Sequence, residues 1–190
     1  SLRAARLLLL SSGCSALAST ECSYHPGSHA MNVTLPINGV ISVGSDAGNG
    51  RTLYRLHYMP STPVKIDCLS TDSVPYDVSY DYRWTSTPHG LSPWNGPPFP
   101  NKVWDTNLPG VGVAGWAQGK SDDAIPGTYY IDTIHPQPNQ NVNHTMNAEF
   151  WLYLIKTGPV QPGNVNGQDL PTLAIDFLAS GAAGSPLNTL

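Results

Sequence analysis

Apolar and polar residues alternate along this chain in short runs, separated by Gly, Pro, Asn and Ser. The clearest run is Val78–Trp84. Val78, Tyr80, Tyr82 and Trp84 fall on one side, and Ser79, Asp81 and Arg83 on the other. Successive side chains of an extended chain point to opposite faces, so a period of two predicts a half-buried strand. Further strands are predicted over Asn32–Leu35, Gly39–Val43, Leu53–Tyr58, Val64–Cys68, Val111–Trp116, Thr128–Ile134, Glu149–Lys156 and Leu173–Phe177. No stretch sustains a helical period. Many short strands with turn residues between them point to an all-β chain, a sandwich or a barrel. Three stretches read as loops: the long, proline-rich Thr85–Asn101, Gln118–Pro126, and the almost wholly polar His135–His144. Long loops on a β scaffold are where binding residues concentrate.

Composition agrees with that pattern. Gly and Pro number 18 each, and both break helices. Only 12% of residues are charged, which argues against a disordered chain. The formal net charge is −4 and Lys and Arg form no cluster, so nucleic acid is an unexpected partner. The five Trp and nine Tyr supply area to bury or to present.

The start of the chain has the layout of a secretory signal peptide. Arg3 and Arg6 precede the apolar run Leu7–Leu10, and small residues follow to Ala16-Leu17-Ala18. Residues 1–18 are therefore expected to be removed. The run is shorter than the roughly 20 residues that span a membrane. Cys14 leaves with the leader, and Cys22 and Cys68 remain. An even pair in an exported chain is expected to form a disulfide.

Three segments, in order, carry a resemblance. The first combines Cys22, Asn32-Val33-Thr34-Leu35-Pro36, Ile41-Ser42-Val43-Gly44 and Lys65-Ile66-Asp67-Cys68. The second is Thr106-Asn107-Leu108-Pro109-Gly110-Val111-Gly112-Val113. The third runs from Glu149 through Lys156-Thr157-Gly158-Pro159-Val160 to Pro162-Gly163. Together they resemble the N-terminal receptor-binding, lectin-like domains of bacterial chaperone–usher pilus-tip adhesins. The resemblance implies an elongated β-sandwich, Ig-like or jelly-roll-like, over residues 19–178. Residues 179–190, rich in Gly, Ala and Ser, would then be a linker toward a pilin domain. Through that domain the partners would be the periplasmic chaperone, the usher and the next pilin subunit, joined by β-strand addition. The location implied is the fimbrial tip, outside the cell. In the family's mannose-binding branch a Phe stands two residues before the first Cys and an Asn-Asp pair follows the second. Here Thr20 takes the first position, and Leu69-Ser70-Thr71 follows Cys68. The mannose pocket is therefore not expected.

Such domains bind a host-cell glycan or glycoprotein. Sugar recognition needs an aromatic face for the C–H side of the ring, and Asp, Asn or Gln groups for the hydroxyls. Trp94 and Asn95, with His89 nearby, lie on the long loop, and Asp105 and Asn107 just beyond it. Asp122 and Asp123 lie on the next loop, and Gln140 and Asn141 on the third. Trp84, Trp116 and Trp151 fall in strands and are expected in the core. His57, His135 and His144 lack the short spacings of a zinc site, so neither metal nor cofactor is expected. A glycoside hydrolase would need two carboxylates flanking a sugar bond. Asp122 and Asp123 are adjacent and would point apart, and no nucleophile or zinc-protease motif occurs, so an enzyme is not expected. A structural pilin that binds no receptor is the other alternative.

Overall fold

The computed structural model describes residues 19–35, 40–44, 46–117, 123–183 and 186–190. The expected leader, Cys14 and Asp122 lie outside them. The described strands are β1 (Thr20–Tyr24), β2 (Thr52–Tyr58), β3 (Val64–Ser70), β4 (Tyr76–Ser86), β5 (Trp104–Asp105) and β6 (Val111–Ala117). They continue with β7 (Gly127–Ile134), β8 (Gln140–Met146), β9 (Phe150–Lys156), β10 (Thr172–Ala179), β11 (Ala182–Ala183) and β12 (Leu187–Asn188). They form three four-stranded sheets in the orders β11-β1-β3-β8, β12-β10-β4-β7 and β2-β9-β6-β5. Every pairing is antiparallel except β1 with β11. The chain is an all-β sandwich.

The period of two along β4 explains where the core sits. Tyr76, Val78, Tyr80 and Tyr82 are buried on one side of the second sheet, joined by Ile175 and Phe177 of β10. They face Val64, Ile66 and Cys68 of β3, Met146 of β8, Ala117 of β6 and Phe150 of β9. The first and third sheets thus share the layer opposite the second. Buried tyrosine hydroxyls need partners. Tyr82 donates to the Glu149 carbonyl at 2.8 Å, and Tyr80 accepts from the Asn147 N–H at 2.8 Å. The Cys22–Cys68 disulfide joins residues directly opposite each other on β1 and β3.

The strand and loop expectations are corrected in three places, at Asn32–Leu35, at residues 40–43 and at His135–His144. Asn32–Leu35 forms no strand, nor do the described residues 40–43, and Val40 is 96% exposed. Among the described residues no strand pairs with them. His135–His144 is not all loop, because β8 begins at Gln140 and pairs with β3. Its inward positions are Val142, His144 and Met146. His144 fits there because its Nε2 lies 2.9 Å from the Tyr76 hydroxyl, and its ring packs on Phe177 at 5.5 Å. Burial lowers its pKa, and Asp132 and Asp67 oppose that shift. Within the stretch 179–190, β11 pairs with β1 and β12 with β10. Thr189 is fully buried and its N–H donates to the Ile175 carbonyl at 2.8 Å.

Candidate functional site

The strand β6 reads Val-Gly-Val-Ala-Gly-Trp-Ala and is buried along nearly its whole length. A strand apolar on both faces needs a cover on both faces. On one side the cover is the second sheet. On the other it is the proline-rich loop that links β4 to β5. Phe99 and Val103 of this loop are fully buried against Ala114 of β6, Tyr153 and Ile155 of β9, and Ala124. The Phe99 ring lies 5.0 Å from that of Trp116 and 5.3 Å from that of Tyr153. This forms a second, smaller core outside the main one.

Backbone and side-chain bonds fix the loop. Ser92 donates to the Val103 carbonyl at 2.8 Å, and Lys102 to the Phe99 carbonyl at 3.2 Å. The Lys102 ammonium donates to the carbonyls of Ala124 and Pro126, both at 3.1 Å, tying the loop to the segment before β7. Trp94 is half-buried and packs on the same small core. Its ring lies over two glycines, because a Cβ at Gly96 would meet it at 2.5 Å and one at Gly50 at 2.7 Å. Its indole N–H is buried without a hydrogen-bond partner. Trp94 is therefore a fixed aromatic element of the loop, partly at the surface, and Asn95 beside it is exposed.

The other sequence-predicted residues divide. His89 is exposed on a turn in which Gly90, at φ 76°, donates to the Thr87 carbonyl at 3.0 Å. Asp105 donates its N–H to the Gly90 carbonyl at 3.0 Å, so the structure brings the His89 turn beside Asp105. Asn107 is exposed, but both ends of its amide are occupied. Its Nδ2 donates to the Asn164 carbonyl at 2.8 Å, and its Oδ1 accepts from the Asn166 N–H at 2.7 Å. Asp123 is half-buried, and its carbonyl accepts from the Ala117 N–H at 2.8 Å. Gln140 and Asn141 sit on β8, in the first sheet.

Of the strand tryptophans, Trp84 packs against both the main core and the inner face of the third sheet. Trp116 and Trp151 oppose each other on β6 and β9 and pack on the small core under the loop. At the margin of that core stands a ring pair that the sequence reading did not bring together. His57 of β2 stacks on Trp151 at 4.1 Å with the rings 5° from parallel, and its Nε2 lies 2.8 Å from Glu149 Oε1. The strand over Leu53–Tyr58 is expected from the sequence, but the partners of Arg55 and His57 on β9, Tyr153 and Trp151, come from the register. His57 thus lies in the third sheet, His144 faces inward from the first, and His135 is exposed between β7 and β8. Among the described residues no group of three or more His, Cys, Asp or Glu is arranged to hold a metal.

No family model matches the chain, and no curated protein does. Solved structures do. The receptor-binding domain of the plasmid-born adhesin MrkD1P of Klebsiella pneumoniae superposes with a TM-score of 0.50 at 18% identity, over 83% of this chain and 82% of that one. The CupB6 tip adhesin from Pseudomonas aeruginosa gives a TM-score of 0.39 at 14% identity, over 90% of this chain and 48% of that one. The match to MrkD1P shows a shared fold.

Proposed function

We propose that this chain is the receptor-binding domain of a fimbrial tip adhesin, which attaches a bacterium to a host surface by binding a glycan or glycoprotein. The observation that carries this reading is the fold held in common with the MrkD1P receptor-binding domain over about four-fifths of both chains. The three sequence segments and the disulfide fit the same assignment. The domain works at the fimbrial tip, outside the cell, and reaches chaperone, usher and pilin through a separate pilin domain. No helix among the described residues is long and apolar enough to cross a membrane.

The contact surface is the outer side of the loop over the third sheet. Trp94 supplies an immobilised aromatic element, so ordering it on binding costs little. Asn95, His89 on its turn and Asp105 beside it supply polar groups for hydroxyls. The role is binding without turnover. A glycan array on the soluble domain tests the reading. Binding without hydrolysis is expected, and the double variant Asn95→Ala/Asp105→Asn should bind at least about tenfold more weakly with its melting temperature unchanged. A silent array, cleavage of the glycan, or unchanged affinity in the double variant would each refute it.

A further inference from the structure

The third sheet ends in an open edge. β2 is seven residues long, contains no proline, and pairs on one side with β9. It stands last in the sheet order, so among the described residues no strand meets its other side. An unpaired edge carries N–H and C=O groups that still seek partners, and proteins ordinarily blunt such edges. Edges β5, β11 and β12 are only two residues long, and β7 is broken by a register shift. β8 is of the same length as β2 but projects Asn141, Asn143 and Thr145 outward.

Two further features set β2 apart. On its inner side lies a small apolar groove lined by Tyr54, Leu56, Leu152, Leu154, Leu170 and Pro171. Tyr54 and Leu56 are half-buried, so the groove is reachable from outside. On its outer side stand Arg55 and His57, both exposed, and Arg51 just precedes the strand. Arg51 and Arg55 make no ion pair among the described residues, whereas Arg83 is held by Asp176 at 2.8 Å. In a chain of net charge −4 this edge is locally basic.

We infer that β2 receives an extended peptide segment of a partner protein as a fifth strand of the third sheet, with that segment's apolar side chains in the Tyr54–Leu170 groove and its acidic side chains against Arg55. The main-chain hydrogen bonds supply affinity that does not depend on sequence, and the two faces of the added strand supply specificity. A strand alternating apolar and acidic residues matches both sides, because alternate residues point to opposite faces. A second copy of this chain fits poorly. Arg55 is the central residue of β2, so a symmetric antiparallel β2–β2 pair in full register sets Arg55 opposite Arg55. The inference goes beyond the glycan reading and uses none of the loop residues.

The test is amide hydrogen exchange by NMR on the whole domain, titrated with a synthetic peptide of about eight residues alternating valine and glutamate. The control has the same length but carries proline at alternate positions, which removes the ladder donors there. Slowed exchange of backbone amides within residues 52–58 is expected with the first peptide and not with the second. Arg55→Glu should weaken binding about tenfold at low salt, and Asn95→Ala should leave it unchanged. Unprotected β2 amides at millimolar peptide would overturn the inference, and so would protection of β8 instead. Slowed β2 exchange that rises with protein concentration in the absence of peptide would also overturn it, by making the occupant a second copy. Since Asn95→Ala/Asp105→Asn reports on the glycan surface, failure at one site is distinguishable from failure at the other.

Discussion

Replacing Phe99 by alanine tests whether the loop and the small core beneath it form a unit separate from the sandwich. Phe99 is fully buried and makes ring contacts with Trp116 and Tyr153. Burying the side chain contributes about 2–3 kcal/mol. Two aromatic pairs add about 0.5–1.5 kcal/mol each. The sum agrees with the ~3–5 kcal/mol usual for Phe→Ala in a core. The low end applies here, because a loop can settle into the gap more easily than a strand. Phe99, Val103, Ala114, Ala124, Tyr153 and Ile155 form a cluster distinct from the main core. The loop can therefore open without the sandwich unfolding. The amides of Ser92, Asn101 and Lys102, bonded within the loop, should lose protection by about a hundredfold, equivalent to ~3 kcal/mol. Amides in the β4–β10 pairing, bonded across the second sheet, should keep their rates. Hydrogen exchange followed residue by residue makes the comparison. An equal loss in the loop and in β4 would refute the separation and make Phe99 part of one cooperative core.

Two other outcomes are expected. Cys22→Ser/Cys68→Ser should cost about 4 kcal/mol in denaturant unfolding, the chain-entropy value for a separation of 46 residues, and a loss below about 1 kcal/mol would show that the β1–β3 ladder alone closes that loop. His144 has its pKa lowered by burial, so the unfolded chain binds a proton that the folded one resists. Stability from this group is present above the unfolded value near 6.5 and is lost as pH falls below it. His144→Gln should flatten the fall in the urea midpoint between about pH 7 and pH 5, and an undiminished fall would remove His144 as its source.

The parts of the fold legible in the sequence are those where alternation is strict and one face is apolar. β4 shows it from Tyr76 to Trp84, with Tyr76, Val78, Tyr80 and Tyr82 buried. β8 stayed hidden because its outward positions are Asn141, Asn143 and Thr145, and one of its three inward positions is a histidine. Its apolar signal was reduced to Val142 and Met146, and a histidine beside a tyrosine hydroxyl is visible only after folding. The opposite error arose at Asn32–Leu35, where β-branched residues supply propensity but no strand among the described residues pairs with them. Propensity is a statement about a pleated, half-buried surface, and without the surface it says little. The site divides in the same way. The composition of the loop pointed to Trp94, but its ring is held in part by the approach of Gly50, more than 40 residues earlier in the chain. The His57–Trp151 stack depends on the β2–β9 register, which no local pattern encodes.

The bond between Cys22 and Cys68 also bears on how the domain withstands proteases. Between the two cysteines lie the described residues 40–44, which form no strand and include the fully displayed Val40. Exposed irregular backbone is where hydrolytic enzymes cut first. A cut there would divide the chain, yet β1 would stay on β3, held by the ladder and by a covalent link that does not pass through the broken backbone. This exposed stretch is thus enclosed within a closed ring of bonds, and damage to it need not release the strand before it.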